Sequence, residues 1–200
     1  MKIQLLSFIL FSSASLADAQ VAKVMLAKEQ VLATSGSVER SLSRKSPIYR
    51  ADILKTGKNA RAQFRFSDGT ILSLGEHTQF IVDQFEHETV SEAHFEFIQG
   101  AFRVVTGQIT QVTNPDFKIK TPMGSIGIRG TDFWGGNLYS EDTIDVILLD
   151  SEHPLVVENE YGRVTISPPG LGTTLTFGKP PSKPEKWSDK KLQDAVKTIQ

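Results

Sequence analysis

The chain contains no cysteine among its 200 residues. A disulfide framework, a thiolate metal site and a cysteine nucleophile are therefore excluded. A strong charge of one sign is also missing, because 22 basic residues stand against 23 acidic residues and the formal net charge is −1. Since this balance gives the chain no overall attraction for polyanions, we expect neither nucleic acid nor an anionic membrane surface as a partner.

A hydrophobic run of membrane-spanning length is absent as well. The apolar stretch at residues 3–11 is too short, because a spanning helix needs about 20 apolar residues. It follows Lys2 and precedes small residues that end in Ala17-Asp18-Ala19. This is the pattern of a signal peptide rather than of a short uncleaved anchor. We expect cleavage after Ala19, which leaves residues 20–200 as a periplasmic or secreted chain without a transmembrane segment.

Sustained helical periodicity is missing from residue 36 onward. Short runs of Val, Ile, Phe and Thr instead alternate with clusters of Gly, Asp, Asn, Ser and Pro, which is typical of all-β proteins. The candidate strands are residues 60–66, 70–74, 80–85, 93–98, 101–106, 117–121, 143–149, 155–158, 163–166 and 173–177. Residues 20–32 fit a short helix or a first strand. We predict a single all-β domain over residues 20–177, built as a twisted sandwich or as a solenoid-like stack.

One hairpin can be predicted with its register. Phe64 and Phe66 share a face of the first strand, as do Leu72 and Leu74 in the second. A three-residue loop that ends at Gly69 pairs Phe64 with Leu72 and keeps the apolar faces together. A two-residue loop would send Leu72 to the arginine face. The favoured register requires Gly69 in the left-handed region, as the glycine of a G1 bulge.

The C-terminal 178–200 segment differs from the β body. Residues 178–184 are rich in proline and should form an extended linker. Beyond them, Ser188 can cap a short helix. One face of that helix carries Leu192, Ala195, Val196 and Ile199. Because so short a helix is marginal by itself, we expect it to pack on its own β body rather than on a partner.

Several phrases, taken in order, point to a known family. They are Gly36-Ser37-Val38, residues 52–57, residues 62–74 with Thr78, residues 99–103, and the sequence FKIKTPMGSIGIRGTDF at residues 117–133. This series resembles the FecR domain from about residue 32 to about residue 175. Asp150-Ser151 departs from it, since the family usually has an acidic residue and then glycine. The resemblance implies an all-β fold and a role in binding a ligand or a protein.

The best-known members of that family are periplasmic regulators of iron-uptake signalling. They relay the state of an outer-membrane receptor to a cytoplasmic sigma factor, through an N-terminal cytoplasmic segment and a transmembrane helix. The N-terminus here instead reads as a signal peptide. The resemblance therefore implies the fold and the binding role for this chain, but not the sigma-factor circuit.

The central phrase also has a physical interpretation of its own. Its structural residues are Gly124, Gly127, Gly130 and Phe133, of which the glycines suit places where the backbone bends or must approach closely. Ile126 and Ile128 share one strand face. A bulge at Gly130 would reset the alternation, so that Thr131 and Phe133 join the two isoleucines inside.

The candidate binding residues are Arg129, Thr131 and Trp134. Arg129 either holds a turn together by donating to carbonyls and a carboxylate, or contacts an anionic ligand or a partner protein. The rings of Phe133 and Trp134 point to opposite faces of a strand. Either both rings are core, or Trp134 is a surface contact for sugar, peptidoglycan or protein.

Catalytic and metal-binding motifs are not found. The chain has no G-x-S-x-G phrase, and its glycine triplet is followed by no helix that could bind a phosphate. His87 and His94 lie among glutamates around a predicted hairpin tip at residues 88–91, where a solvated acidic loop is favoured over a weak divalent-cation site. We expect no metal, no cofactor and no enzymatic activity.

The predicted function is therefore an exported binding or sensing module of the cell envelope. Its expected partner is a protein or a cell-wall glycan. The alternative is an envelope carrier of a lipid or another amphiphile, which requires an apolar groove. An uncharacterised hydrolase is a third hypothesis, and it requires a pocket where acidic residues converge.

Overall fold

The computed structural model describes residues 19–87, 91–113, 115–151 and 153–200. The predicted signal peptide and the tip of the hairpin at residues 88–90 lie outside these ranges. The described part of the chain forms two nine-stranded sheets and one short C-terminal helix, so the predicted all-β class is confirmed.

The strands are numbered in chain order. In spatial order, the first sheet consists of β4 (Pro47–Tyr49), β1 (Gln20–Lys28), β6 (Arg61–Phe66), β7 (Ile71–Leu74), β10 (Ala101–Val105), β13 (Thr131–Gly136), β14 (Thr143–Ser151), β17 (Leu171–Thr176) and β18 (Glu185–Lys186). The second sheet consists of β3 (Val38–Ser41), β2 (Val31–Ser35), β5 (Ile53–Thr56), β8 (Gln79–Glu86), β9 (Glu92–Gln99), β11 (Asp116–Thr121), β12 (Gly124–Ile128), β15 (Leu155–Asn159) and β16 (Gly162–Ile166).

The path of the chain combines the two predicted architectures. The chain passes back and forth between the sheets and advances along both, from the β3 and β4 end to the β16 and β18 end. The pairing of β9 with β11 is parallel, and the other pairings of the two sheets are antiparallel. The result is a two-sheet sandwich with a solenoid-like progression of strands.

The space between the sheets is filled by aromatic side chains. Phe80 and Phe97 of the second sheet meet Phe102 of the first, with ring centroids 5.5 Å and 4.9 Å apart. Phe133 packs edge-to-face on Phe102 at 5.8 Å, and all four rings are fully buried. Such pairs contribute about 0.5–1.5 kcal/mol each beyond the burial of apolar area. The predicted core role of Phe133 is confirmed.

The hairpin of β6 and β7 has the predicted register. Phe64 pairs with Leu72, and the Phe66 amide donates to the Thr70 carbonyl across the loop at 2.9 Å. Gly69 has a φ of +92°, in the left-handed region. The three-residue loop and its glycine are therefore confirmed.

The C-terminal α-helix, α1 (Asp189–Lys197), begins at the predicted cap, where the Ser188 hydroxyl accepts from the Lys191 amide at 3.2 Å. The helix covers part of the outer face of the first sheet. The segment before it is tied to β17, because the Ser182 amide donates to the Thr174 carbonyl at 3.0 Å. Residues 178–184 therefore follow the sheet edge instead of forming a free tether.

Gly130 is the point where the chain changes sheets, so a crossing takes the place of the bulge that the sequence analysis considered at this glycine. β12 belongs to the second sheet and β13 to the first, and Gly130 joins them with a φ of +75°. Thr131 and Phe133 do face the core opposite Ile126 and Ile128, but they do so from the other sheet. The alternation is reset by the crossing between sheets, which strand periodicity alone cannot distinguish from a bulge.

Candidate binding cleft at the sheet crossing

The glycine-rich phrase at residues 117–133 places two hollows around the crossing at Gly130. One is a groove of about 410 Å³ on the outer face of the second sheet. The other is a pocket of about 370 Å³ at the end of the sandwich. His153 lines both, so we treat them as one site and call it the crossover cleft. Its defining residues are Lys118, Gly127, Arg129, Thr131, Asp150 and His153.

Gly127 forms part of the groove lining on the outer face. A Cβ atom built on Gly127 would meet nothing closer than the Val156 Cβ at 3.9 Å. Its backbone also lies outside the left-handed region that favours glycine. Neither space nor conformation therefore requires a glycine here, and glycine within a strand interior is unfavourable by itself. The physical effect of Gly127 is to keep the groove open.

The groove carries charges of both signs. Two of its basic side chains, Lys118 and Arg129, have no ion-pair partner among the described residues. Lys118 has no hydrogen bond or ion pair to any described residue. Among the described residues, the exposed Arg129 makes a single hydrogen bond, from Nη2 to the Thr113 carbonyl at 2.8 Å. The guanidinium group has five N–H donors, so most of them face solvent. Arg129 therefore tethers a loop, and its role in binding an anionic group stays a prediction.

The carboxylates beside these cations already have partners. Asp116 Oδ2 lies 2.8 Å from His94 Nε2, and Glu158 Oε2 lies 3.4 Å from Arg163 Nε. The two pairs flank the groove at opposite ends. Within the groove, Lys118 and Arg129 are therefore the charges left for an incoming anionic group.

The pocket at the end of the sandwich offers different chemistry. Thr131 is 5% exposed, and its Oγ1 has no hydrogen-bond partner among the described residues. Asp132 is held by Arg103 through bonds of 2.8 Å and 2.6 Å, and this hydrogen bond raises the pKa of Arg103 above its ordinary value. Asp150 has no ion-pair partner among the described residues. The pocket thus presents a free carboxylate, and the Thr131 hydroxyl lies buried beneath its surface.

Trp134 lies apart from the crossover cleft. It is fully buried on the outer face of the first sheet, beneath α1. Its ring packs edge-to-face on that of Trp187, with centroids 6.0 Å apart. The surface-contact interpretation of Trp134 therefore does not match this geometry, in which both Phe133 and Trp134 are packed. The reason is a helix more than fifty residues away in the chain, which covers this face.

The other glycines of the phrase do have structural reasons. A Cβ atom on Gly124 would stand 2.6 Å from the Glu158 carbonyl oxygen, so close backbone approach requires the glycine. Gly130 needs its positive φ to turn the chain between the sheets. Of the three glycines at positions 124, 127 and 130, Gly127 is therefore the one that the fold does not require.

The histidines form no metal site in the part of the chain that the structure describes. No group of three or more metal-ligating side chains occurs there. His94 pairs with Asp116, and His87 Nδ1 lies 3.3 Å from the Ser67 hydroxyl. Sequence reasoning missed Lys118 and His153 as members of the site. The alternation of β11 could have identified Lys118, which lies on the outer face with Lys120.

A family model described as "FecR protein" matches residues 52–152. The chain belongs to the FecR protein family. The match contains β11, β12 and β13, and it ends beside His153, so most of the crossover cleft lies within it. The family predicted from the ordered phrases is thereby confirmed.

Two solved structures resemble this FecR-family chain in fold. Both are crystal structures of a "putative anti-sigma factor" from Parabacteroides distasonis, with TM-scores of 0.57 and 0.56 at 13% and 12% identity. Each alignment covers 70% of this chain and 62% of the other, so the chain spans about three fifths of the length of those proteins. No curated protein matches. Within the described residues, no helix has the length and apolar character of a membrane span.

Proposed function

We propose that this FecR-family chain is a non-catalytic binding and sensing module of the cell envelope, which recognises a protein partner through the crossover cleft. The observation that carries the proposal is the open position at Gly127 beside the available charges of Lys118 and Arg129. A glycine that the fold does not need, next to cations without an ion-pair partner among the described residues, leaves room for a contact from outside the chain.

The shape and charge of the cleft favour a protein over a small substrate. The groove lies on the face of a sheet and carries paired and unpaired charges along its length, as the polar rim of a protein interface does. Its carboxylates are engaged by His94 and Arg163 instead of converging on one point, so the hydrolase hypothesis has less support. A cell-wall glycan is the other partner that the sequence suggested, and the experiment below separates the two.

A signalling role is part of the proposal. It is supported by membership of the FecR protein family and by the shared fold of a protein described as an anti-sigma factor. In this proposal the chain acts outside the cytoplasm, after removal of residues 1–19. Its partner is then another envelope protein, and the sigma factor itself is not contacted.

Site-specific photocrosslinking in cells of the native host tests the proposal. A photoreactive amino acid replaces Lys118 in the cleft, or Gln63 on the outer face of the first sheet as a control. Each of the two photoreactive variants is made in a background that carries either Gly127→Leu, which fills the groove, or Thr165→Leu. Thr165 lies on the same sheet face and pairs with Val156, so Thr165→Leu is a matched control.

We expect a discrete protein adduct from position 118, lost with Gly127→Leu and kept with Thr165→Leu. Equal adducts in both variants, or adducts from position 63 alone, would refute the cleft as the binding site. An adduct that muramidase digestion removes would replace the protein partner with a cell-wall glycan. Thermal unfolding of Gly127→Leu verifies that the fold is intact, since a Cβ atom is accommodated there.

A further inference from the structure

A second hollow, which we call the basic groove, lies near the β4 end of the first sheet. It has a volume of about 500 Å³ and is formed by β1, the loop at residues 43–46 and the end of β6. β1 is four strands away from β13 in the sheet, so the basic groove is separate from the crossover cleft. Its volume falls in the range of about 300–1,000 Å³ that is usual for small-molecule sites.

The groove has an apolar lining. Val21, Val24 and Phe66 lie beneath it and are each no more than 5% exposed, so the apolar surface open to water belongs to Met25 and to the methylene stems of the basic side chains. Met25 also lines it and is 40% exposed, which is high for a large apolar side chain. An alkyl chain that lay here would remove this surface from water.

Four cations surround this apolar lining: Lys23, Arg44, Lys45 and Arg65. No carboxylate lines the groove, and none of the four has an ion-pair partner among the described residues. Lys23 and Arg65 are direct cross-strand partners in the β1–β6 pairing. Like charges placed opposite each other in a sheet repel, and a bound anion would relieve that repulsion.

The loop that supplies two of the cations is held in an uncommon conformation. Lys45 has a φ of +75°, which a residue with a Cβ atom rarely adopts. Backbone bonds with Val24 keep the loop there: the Lys45 amide donates to the Val24 carbonyl at 2.8 Å, and the Val24 amide donates to the Ser46 carbonyl at 3.0 Å. Strained residues of this kind cluster at ligand sites.

We propose that the basic groove binds a single anionic amphiphile, with its alkyl chain on Met25 and the methylene stems of the basic side chains and its anionic head among the four cations. A lone inorganic anion would leave the apolar lining exposed, and a neutral lipid would leave the cations unpaired. An alkyl chain with one anionic head would cover the apolar lining and pair with the cations. This inference does not depend on the function proposed for the crossover cleft.

Isothermal titration calorimetry on the full chain, purified without detergent, tests the proposal with three monomeric probes. Decanoate carries both the chain and the charge, decanol carries only the chain, and acetate carries only the charge. Cosedimentation with phosphatidylglycerol vesicles tests whether the source of the anion is a bilayer surface. We expect saturable binding of decanoate, weaker by about tenfold for decanol because the charge-assisted bonds are lost, with no binding of acetate or vesicles.

Two paired variants complete the design. Arg44→Gln with Arg65→Gln should weaken decanoate binding by about tenfold or more. Lys179→Gln with Lys186→Gln removes the same charge from exposed sites near the C-terminal segment and should leave the affinity unchanged.

The proposal is overturned by equal affinities for decanoate and decanol, by no decanoate binding, or by an unchanged affinity in the Arg44 and Arg65 variant. Cosedimentation with vesicles in the absence of decanoate binding would replace the monomeric ligand with a membrane surface. Because the crosslinking experiment uses a different site and a different readout, the failure of one proposal is distinguishable from the failure of the other.

Discussion

The indole Nε1 of Trp134 donates a hydrogen bond to Oγ1 of Thr198 at 3.0 Å, and so joins the middle of the first sheet to the end of the C-terminal segment. Two further contacts fasten the same segment. Lys191 Nζ lies 2.7 Å from the buried Asp145 carboxylate, and Arg61 Nε donates to the Gln200 carbonyl at 2.7 Å. The helix is therefore part of the packed fold.

Trp134→Phe should destabilise the protein by about 1–3 kcal/mol. It removes the bond to Thr198 and shrinks a fully buried ring against Trp187. Urea unfolding monitored by circular dichroism measures the effect. Tyr161→Phe, on a side chain that is 52% exposed, is the control and should change stability little. Equal stability of the two variants would contradict the anchoring role of Trp134.

Gly69→Val should cost about 1–2 kcal/mol, because a β-branched residue is placed in the left-handed region. No atom lies within 4 Å of the added Cβ, so the cost is conformational and not a clash. Gly69→Asn is the matched variant and should cost less, since asparagine tolerates this conformation. Thermal unfolding of both variants distinguishes them, and a Val variant as stable as the wild type would argue against the bulge.

Arg129→Ala should leave the protein folded, with a loss of no more than about 1 kcal/mol. The side chain is exposed and makes one hydrogen bond to a described residue, at the Thr113 carbonyl. The crosslink from position 118 should nevertheless be lost, since this guanidinium lies in the crossover cleft. Severe unfolding of Arg129→Ala would assign the residue a structural role instead.

The contact between Tyr139 and α1 predicts a pH dependence. Hydrogen bonds from Lys190 and from the Tyr139 hydroxyl hold the pKa of Asp194 below its ordinary value of 3.8. A depressed pKa in the folded state stabilises the fold above the unfolded-state pKa, and this contribution is lost as the pH falls through the folded-state pKa. Stability should therefore decrease less steeply below about pH 4 in Asp194→Asn than in wild type.

Urea unfolding of Asp194→Asn, between about pH 6 and about pH 3, measures this difference. Asp142→Asn, at an exposed carboxylate with no ion-pair partner in the described part of the chain, is the control and should follow the wild-type curve. Parallel curves for Asp194→Asn and wild type would show that the Asp194 contacts do not contribute to stability.

Export is predicted from the N-terminal residues. Intact mass spectrometry of the chain from a periplasmic fraction should give the mass of residues 20–200. Ala17→Leu with Ala19→Leu removes the small residues that signal peptidase needs, and should leave the protein at full length in the membrane fraction. An unprocessed wild-type chain in the cytoplasmic fraction would refute the prediction.

The β6–β7 hairpin and the α1 helix show which parts of the fold the sequence predicts well. Both depend on local rules: Gly69 suits the left-handed turn, strand alternation sets the register, and Ser188 caps the first turn. The strands β2 to β5 were not predicted individually. They contain three to five residues, and β3 in particular carries Glu39, Arg40 and Ser41. So short a polar strand is defined by its neighbours in the sheet.

The candidate site was predicted only in part. Arg129 and Thr131 were identified from the glycine-rich phrase, and the structure places both at the crossing between the sheets. Trp134 belongs to the same phrase but faces α1, because residues at the other end of the domain pack on it. Lys118 and His153 come together with Arg129 only through the pairing of distant strands.

The sequence by itself determined the all-β class, the FecR family, the hairpin register and the capped helix, because each follows from neighbouring residues. The tertiary structure decided the alternation of the chain between two sheets, the burial of Trp134 and the clustering of four cations in a chain whose net charge is −1. These features join residues far apart in sequence. Their free energies depend on burial and on cross-strand partners, which local patterns do not specify.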